Sequence, residues 1–260
     1  MYLNASSIDV APLLRANLYA GSTAIFTSAT LAAAGDFSYF RKSLGLDDAE
    51  TMALASPFDF ATQAQIYLPR LPDPASPQFA DALAEEAVKL ITLVKGRTLF
   101  LFTSFRNMYE IRKRLAGRLP YTLLMQGEAP RTALLERFRS EVESVLLATS
   151  SFWQGVDVKG ESLSCVIIDK LPFSSPGDPV TAARIDRITK NGGKPFTEYQ
   201  LPKAVLALRQ GIGRLIRHRT DAGIMMIADS RIRGKGYGKT FLKSLPPAPV
   251  VDRFDALRWG

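Results

Sequence analysis

Cysteine is almost absent from this 260-residue sequence, where Cys165 is the only one. A disulfide framework, a zinc ribbon and a cysteine-ligated iron–sulfur cluster are therefore excluded within it. The single thiol stands in the apolar run Cys165-Val166-Ile167-Ile168, which points to a buried structural residue rather than a reactive one. Histidine is as scarce. His218 follows Arg217 near the expected end of a helix, where positive charge is tolerated, and nothing around it suggests a metal site. No apolar run approaches the ~20 residues that a membrane helix needs. The first ten residues have neither a basic stretch nor a long apolar one, so no signal peptide is visible. A cytoplasmic protein with no membrane partner is expected. Internal repeats and low-complexity tracts are lacking too. No Gly-x-Gly-x-x-Gly turn follows an early strand, which argues against a dinucleotide enzyme.

What is present is an ordinary globular composition, 47% hydrophobic and 22% charged, with 33 basic against 25 acidic residues and a net charge of +8. That excess favours a polyanionic partner such as nucleic acid. Prolines 57, 69, 72, 74 and 77 mark residues 56–77 as a linker or extended loop, with a possible strand at Gln65–Leu68 inside it. Before it, a helix is expected over 8–18, a buried strand over Ala24–Ser28 and a helical patch over Phe37–Leu44. After it, helices at about 78–95, 105–117, 130–140, 179–190 and 200–217 alternate with apolar strands at 98–102, 121–124, 144–148, 164–168 and 223–228. A short helix follows near Lys239–Ser244. This alternation predicts an α/β fold, a mostly parallel sheet with helices on both faces. Ligands of such sheets gather at the carboxyl ends of the strands.

The segment Arg209-Gln-Gly-Ile-Gly-Arg-Leu-Ile-Arg-His218 is the most informative. Val205, Leu208, Ile212 and Leu215 form one apolar stripe, while Lys203, Gln210, Arg214 and Arg217 share a polar face. Gly211 and Gly213 fall in this helix, each at a cost of about 1 kcal/mol relative to alanine. A ligand or a second backbone passing close by supplies a reason for them. Two arginines, a glutamine and bare backbone suit a polyphosphate; a solvated basic face is the alternative.

Three strands end in hydroxyl-bearing turns: Thr27-Ser28-Ala29-Thr30, Thr103-Ser104-Phe105 and Thr149-Ser150-Ser151-Phe152-Trp153-Gln154-Gly155-Val156-Asp157. Such turns contact phosphates or cap helices. Arg106, Arg112, Lys113 and Arg114 face a single acid, Glu110, on the helix after the second turn. Phe105 and Trp153 are the aromatics placed to stack on a base, or to pack in the core. The segment Gly234-Lys235-Gly236-Tyr237-Gly238-Lys239-Thr240 imitates a phosphate-binding loop, but counting back five residues from Gly238 reaches Arg233 rather than the required glycine. It is read instead as a basic loop, solvated or DNA-binding. Arg231, Arg233, Lys235, Lys239 and Lys243 meet no acid over 231–243.

Taken together these turns resemble the ordered motifs of the DinG- and XPD-like DNA helicases of superfamily 2, most closely the bacterial DinG/YoaA branch. Thr27–Leu31 is similar to motif III and Phe102–Phe105 to motif IV. Ser151–Asp157 is similar to motif V, and Gln210–Arg217 to motif VI. Lys170-Leu171-Pro172-Phe173 with Pro176, Asp178 and Pro179 matches a segment of that branch. The resemblance covers essentially the whole chain. It implies a RecA-like domain that shares ATP and Mg²⁺ with a preceding N-terminal motor domain in cis. That domain would carry the Walker motifs and any iron–sulfur cysteines. Residues 1–55 would hold motif III and the tail of the first motor domain, 56–77 the linker and 78–260 the second RecA-like domain.

By the same resemblance Arg214 and Arg217 would reach ATP phosphates, with Gln210 orienting the nucleotide or the attacking water. Gly155, Asp157, Gly211 and Gly213 would line the nucleotide cleft. Thr103, Ser104, Phe105, Arg106 and Thr149 would touch single-stranded or forked DNA, and Thr27, Ser28 and Thr30 would couple the domains. Many family members carry Glu where this sequence has Gln154. The implied activity is 5′–3′ translocation and unwinding in repair or replication, with no ATPase activity in the 260 residues alone. A stand-alone nucleic-acid-binding module without motor activity is the alternative. In the whole enzyme the strand over 24–28 would pair with the first domain's sheet.

Overall fold

A computed structural model describes residues 5–149, 152 and 162–259. The chain divides into two compact units, residues 1–55 with 172–206 and residues 56–171 with 207–260. The first unit opens with a short helix, α1 (Ala11–Leu14), running into a π turn (Arg15–Tyr19), followed by α2 (Ser38–Leu44). The second begins with α3 (Phe60–Gln63), β1 (Ala64–Tyr67), α4 (Phe79–Leu93), β2 (Thr98–Phe102) and α5 (Phe105–Leu115). Next come β3 (Thr122–Met125), α6 (Arg131–Ser140), β4 (Ser144–Thr149) and β5 (Cys165–Ile168). Helices α7 (Pro179–Lys190) and α8 (Leu201–Ile212) precede β6 (Gly223–Ile227), α9 (Arg231–Gly234), α10 (Gly238–Ser244) and β7 (Val250–Val251).

The strands make one seven-stranded sheet in the order β3-β4-β2-β5-β6-β1-β7, and every pairing between these strands is parallel. The α/β fold with a parallel sheet expected from the sequence is therefore present. The proline-rich stretch contributes β1, paired between β6 and β7. Parallel strands are buried on both faces, and the central ones, β2, β4, β5 and β6, are. Phe100, Phe102, Val145, Leu147, Cys165, Ile167, Ile224 and Met226 meet residues of α4 and α5 such as Leu83, Leu90, Met108 and Ile111. The alternate set, Leu99, Leu101, Leu146, Val166, Ile168 and Met225, is equally buried. Each such side chain contributes about 1.5–3 kcal/mol. Cys165 lies in this core, and burial pushes its thiol pKa up, as an inert structural cysteine requires.

In the first unit, α7 starts where the Asp178 carboxylate accepts the Thr181 N–H at 2.9 Å and Pro179 occupies the first turn. Arg187 pairs with Asp9, and Arg15 with Asp47. The strand expected over 24–28 does not form. These residues have no sheet partner and lie exposed, Ile25 by 87%. A short apolar run becomes a strand only where another strand accepts its backbone hydrogen bonds.

The helix expected over 200–217 ends at Ile212. Gly213 N–H still bonds Arg209 O at 2.9 Å, and Leu215 N–H then reaches only to Ile212 O at 3.2 Å. That is the tightened spacing of a helix end. Gly213 thus lies just past the helix, and Gly211 sits in its last turn.

The basic segment 231–243 owes its shape to a close approach. A Cβ at Gly238 would fall 1.9 Å from Ile232 O, whereas one at Gly236 would meet nothing within 4 Å. Gly238→Ala should therefore cost about 3 kcal/mol, the upper end for forced overpacking. Gly236→Ala should change stability by less than about 0.5 kcal/mol. Denaturant midpoints of the two variants measure the difference; equal midpoints would contradict the close packing of α9 and α10.

Candidate functional site

Because the strands are parallel, their carboxyl ends share one edge of the sheet. Along it, in strand order, stand Gln126 after β3, Thr149 at the end of β4, Thr103 and Ser104 after β2, Asp169 after β5 and Asp229 beyond β6. Side chains tie the loop after β3 to that after β4, the loop after β2 to that after β5, and the loop after β5 to that after β6. Gln126 Oε1 accepts from Thr149 N at 2.7 Å and Thr149 Oγ1 at 2.9 Å. Asp169 Oδ1 accepts from Thr103 N at 2.9 Å and Lys170 N at 2.7 Å. Its Oδ2 accepts from Asn107 Nδ2 at 2.9 Å and Thr103 Oγ1 at 3.3 Å. Asp229 Oδ2 accepts from Leu171 N at 2.8 Å and Arg231 Nη2 at 2.6 Å.

The connection leaving β2 runs toward β3 and the one leaving β5 toward β6. Between β2 and β5 the direction of winding reverses, which is where open α/β sheets bind ligands. Asp169 stands at that point and is fully buried. Burial pushes its carboxyl up to about 6, against the opposing pull of the Asn107, Thr103 and Lys170 bonds.

Of the residues expected at a nucleic acid, Thr103, Ser104, Phe105, Arg106 and Thr149 share this edge. Ser104 caps α5 by accepting the Asn107 N–H at 3.2 Å. The Thr103 and Thr149 hydroxyls donate inward, to Asp169 and Gln126. Phe105 is 49% exposed rather than packed in the core. Ser151, Trp153, Gln154, Gly155 and Asp157 lie outside the described residues.

The arginine segment occupies the other edge. Ala64 pairs with Gly223 where β1 and β6 start. Gln63, just before, donates through Nε2 to the carbonyls of His218, Arg219 and Asp221 at 2.9, 3.1 and 2.9 Å. Asp221 Oδ2 accepts from Arg217 N and His218 N, both at 2.8 Å. A Cβ at Gly223 would sit 2.6 Å from Leu215 Cδ1, so this glycine admits Leu215 against the strand start. Arg214 and Arg217 are thereby placed at the amino edge, separated from the Thr103 edge by the length of β6, about 17 Å at ~3.3 Å per residue. Gln210 lies about one turn back along α8. Gly211 is on its buried side, and Gly213 is exposed with Arg209 O 2.9 Å from where a Cβ would stand. Thr27, Ser28 and Thr30 belong to the first unit, where the Ser28 and Thr30 hydroxyls lie 3.2 Å apart.

Sequence reading missed Asp169, Asp229, Asn107 and Gln126. Each acid directly ends a continuous apolar strand, which is a usable signal; their partners, 58 to 66 residues away, leave none. The basic run 231–243 is also less bare than its sequence. Arg231 pairs with Asp229, and Arg233 lies 3.5 Å from Asp252, both acids outside the run. Among the described residues no cluster of metal-ligating side chains occurs, and no helix is long and apolar enough to cross a membrane.

A family model described as the helicase C-terminal domain matches residues 87–248. The ATP-dependent DNA helicase YoaA of Haemophilus influenzae is 44% identical over 246 residues, covering 94% of this chain and 38% of that protein. The ATP-dependent helicase DinG of Mycobacterium tuberculosis is 38% identical over 251 residues, again covering 94% and 38%. The chain thus spans about two-fifths of the length of these curated relatives. A solved XPD helicase shares the fold, with a TM-score of 0.56 at 16% identity, over 72% of this chain and 35% of that one.

Replacing Asp169 by Asn turns an amide N–H₂ toward donors and should cost about 1–3 kcal/mol. The cost depends on pH. The folded pKa of about 6 lies above the ordinary 3.8, so the stability this group contributes is full below about pH 4 and is lost as the pH rises through 6. The unfolding free-energy gap between the unaltered chain and Asp169→Asn should therefore be widest near pH 4. It should narrow by about 2–3 kcal/mol toward pH 7, at about 1.4 kcal/mol per pH unit. A gap that widens in denaturant titrations as the pH rises would contradict the raised pKa.

Proposed function

Because the chain belongs to the helicase C-terminal domain family, in its DinG- and YoaA-like branch, we propose that it is the second motor domain of an ATP-dependent DNA helicase. The reading draws its activity from the relatives, which are named as ATP-dependent helicases. One structural observation carries it. The sheet presents hydroxyls, an exposed aromatic and Arg106 at its carboxyl edge, and Arg214 with Arg217 at its amino edge. That separation supports two separate places for two polyanions, a DNA strand and ATP.

In this reading Thr103, Ser104, Phe105, Arg106 and Thr149 hold single-stranded or forked DNA. Ser104 Oγ only accepts in capping α5 and so keeps its proton for a phosphate, whereas the Thr103 and Thr149 hydroxyls reach one by exchanging their bonds to Asp169 and Gln126. Such contacts position phosphates without reading sequence. Arg214 and Arg217 grip phosphates of ATP, bound with Mg²⁺ by the first motor domain. Gln210 orients the nucleotide or the attacking water, while Gly155, Asp157, Gly211 and Gly213 line the cleft. Thr27, Ser28 and Thr30 couple the two domains. Residues 1–55 carry motif III and the tail of the first domain, 56–77 connect the two while lending β1 to the sheet, and 78–260 form the second domain. Translocation runs 5′ to 3′ in the cytoplasm, on repair or replication intermediates.

Guanidinium groups stabilise the charge that spreads over the transferred phosphoryl group, an effect of roughly 10³–10⁵ in rate. In the complete motor, Arg214→Ala and Arg217→Ala should each cut kcat at least ~100-fold while leaving single-stranded DNA affinity nearly unchanged. Unchanged kcat in both would remove these arginines from catalysis. The 260-residue chain alone has no Gly-x-x-x-x-Gly-Lys-Ser/Thr loop to cradle nucleotide phosphates. It should therefore hydrolyse ATP at background rate, and strong DNA-stimulated hydrolysis by the pure chain would overturn that assignment.

A further inference from the structure

The cations of α5 divide along its length by what holds them. In its last turns Arg114 bonds Asp81 at 2.7 Å and Glu110 at 2.8 Å, and Lys113 lies 3.9 Å from Glu110. Beyond the helix, Arg118 pairs with Glu85 at 2.7 Å. The first turn differs. Among the described residues no carboxylate pairs with Arg106, and none pairs with Lys170, whose ammonium stands 5.2 Å over the Phe79 ring. Both cations line a cavity of about 400 Å³, together with Pro74–Pro77, Phe79, Asn107 and Ile111. Its single acid, Glu110, is already occupied by Arg114. The volume lies within the ~300–1,000 Å³ of small-ligand sites, and two cations that feel Glu110 and Asp169 without an ion-pair contact suit an anion.

One step around the same helix, Phe105 and Tyr109 are 49% and 45% exposed. Their rings stack with centroids 6.5 Å apart and planes 29° from parallel. Two aromatics held face to face in water on a helix make a platform for a third flat ring. Asn107 faces the cavity while its Nδ2 donates to the buried Asp169, which fixes the first turn of α5 in place.

We propose that this corner of the domain is a single-nucleotide subsite for single-stranded DNA. Phe105 and Tyr109 stack one base, and Arg106 and Lys170 hold the adjoining phosphate at the cavity mouth. The proposal rests on the carboxyl edge being the DNA-binding edge and adds Tyr109, Lys170 and the cavity to it. Every base has a π-face, so the subsite selects single strands without selecting sequence.

The test is fluorescence anisotropy of a labelled oligo-dT bound by the chain over a series of salt concentrations, with circular dichroism confirming that each variant is folded. Tyr109→Ala should weaken binding about five- to a hundredfold without altering the salt dependence. Lys170→Gln, which removes the charge but keeps a polar side chain, should lower the slope of log K against log salt by about 0.7, the value for one lost single-strand phosphate contact. Lys113→Gln, the control on the same helix, should change neither. Binding by the unaltered chain with Tyr109→Ala and Lys170→Gln both unchanged would overturn the subsite alone. Competition by dTMP at the same concentration as the oligomer would overturn the assignment to a strand and assign the site to free nucleotides. No binding by the unaltered chain would overturn the subsite and the DNA-binding reading together.

Discussion

A carboxylate removed from water must be hydrogen-bonded on nearly every lone pair, and Asp169 meets that requirement by gathering the loops around it. Its four donors come from the end of β2, the first turn of α5 and its own following residue. The acid at the next strand, Asp229, repeats the arrangement by holding the Leu171 N–H and Arg231. On the other side Gln126 holds Thr149. Loops that would otherwise be independent are joined into two polar groups, one over β3 and β4 and one over β2, β5 and β6. Side chains that must meet a ligand are best held by groups that are themselves fixed, and here the fixing groups are buried at the strand ends.

This constraint also separates functions in space. The strand-end acids lie at the carboxyl ends, where parallel strands release their chains into binding loops. The Arg214–Arg217 segment follows a crossover helix that returns to the amino edge, where Gln63 and Asp221 hold the turn that feeds β6. One sheet thus offers two charged edges a strand's length apart. For the proposed motor this geometry lets the nucleotide and the DNA strand be held at once by a single rigid body, with the sheet between them.

Much of this was legible in the sequence. Strands such as Thr98–Phe102 and Gly223–Ile227 are continuous apolar runs, and a doubly covered parallel sheet is what such runs specify. The Val205, Leu208, Ile212 and Leu215 stripe is buried as its spacing implies. Local pattern failed where a distant partner decides the outcome. Ala24–Ser28 reads as a strand, but strand identity needs a neighbour, and none pairs with it. The two glycines of the arginine segment invited a ligand. Gly213 has a simpler local reason, the Arg209 carbonyl beneath it at the helix end. The acids Asp169 and Asp229 look like ordinary strand-end polar residues until the fold brings their donors from 58 to 66 positions away. Phe105 and Tyr109 stand four residues apart on an amphipathic helix, and only the folded surface reveals that both face water.

In the proposed motor the carboxyl edge meets DNA while the amino edge is reserved for another ligand. Amide hydrogen exchange of the chain with and without an oligo-dT strand tests it most directly. Exchange should slow over residues 103–110 and around Lys170, with residues 210–221 unchanged. Protection of residues 210–221 with 103–110 unaffected would contradict it.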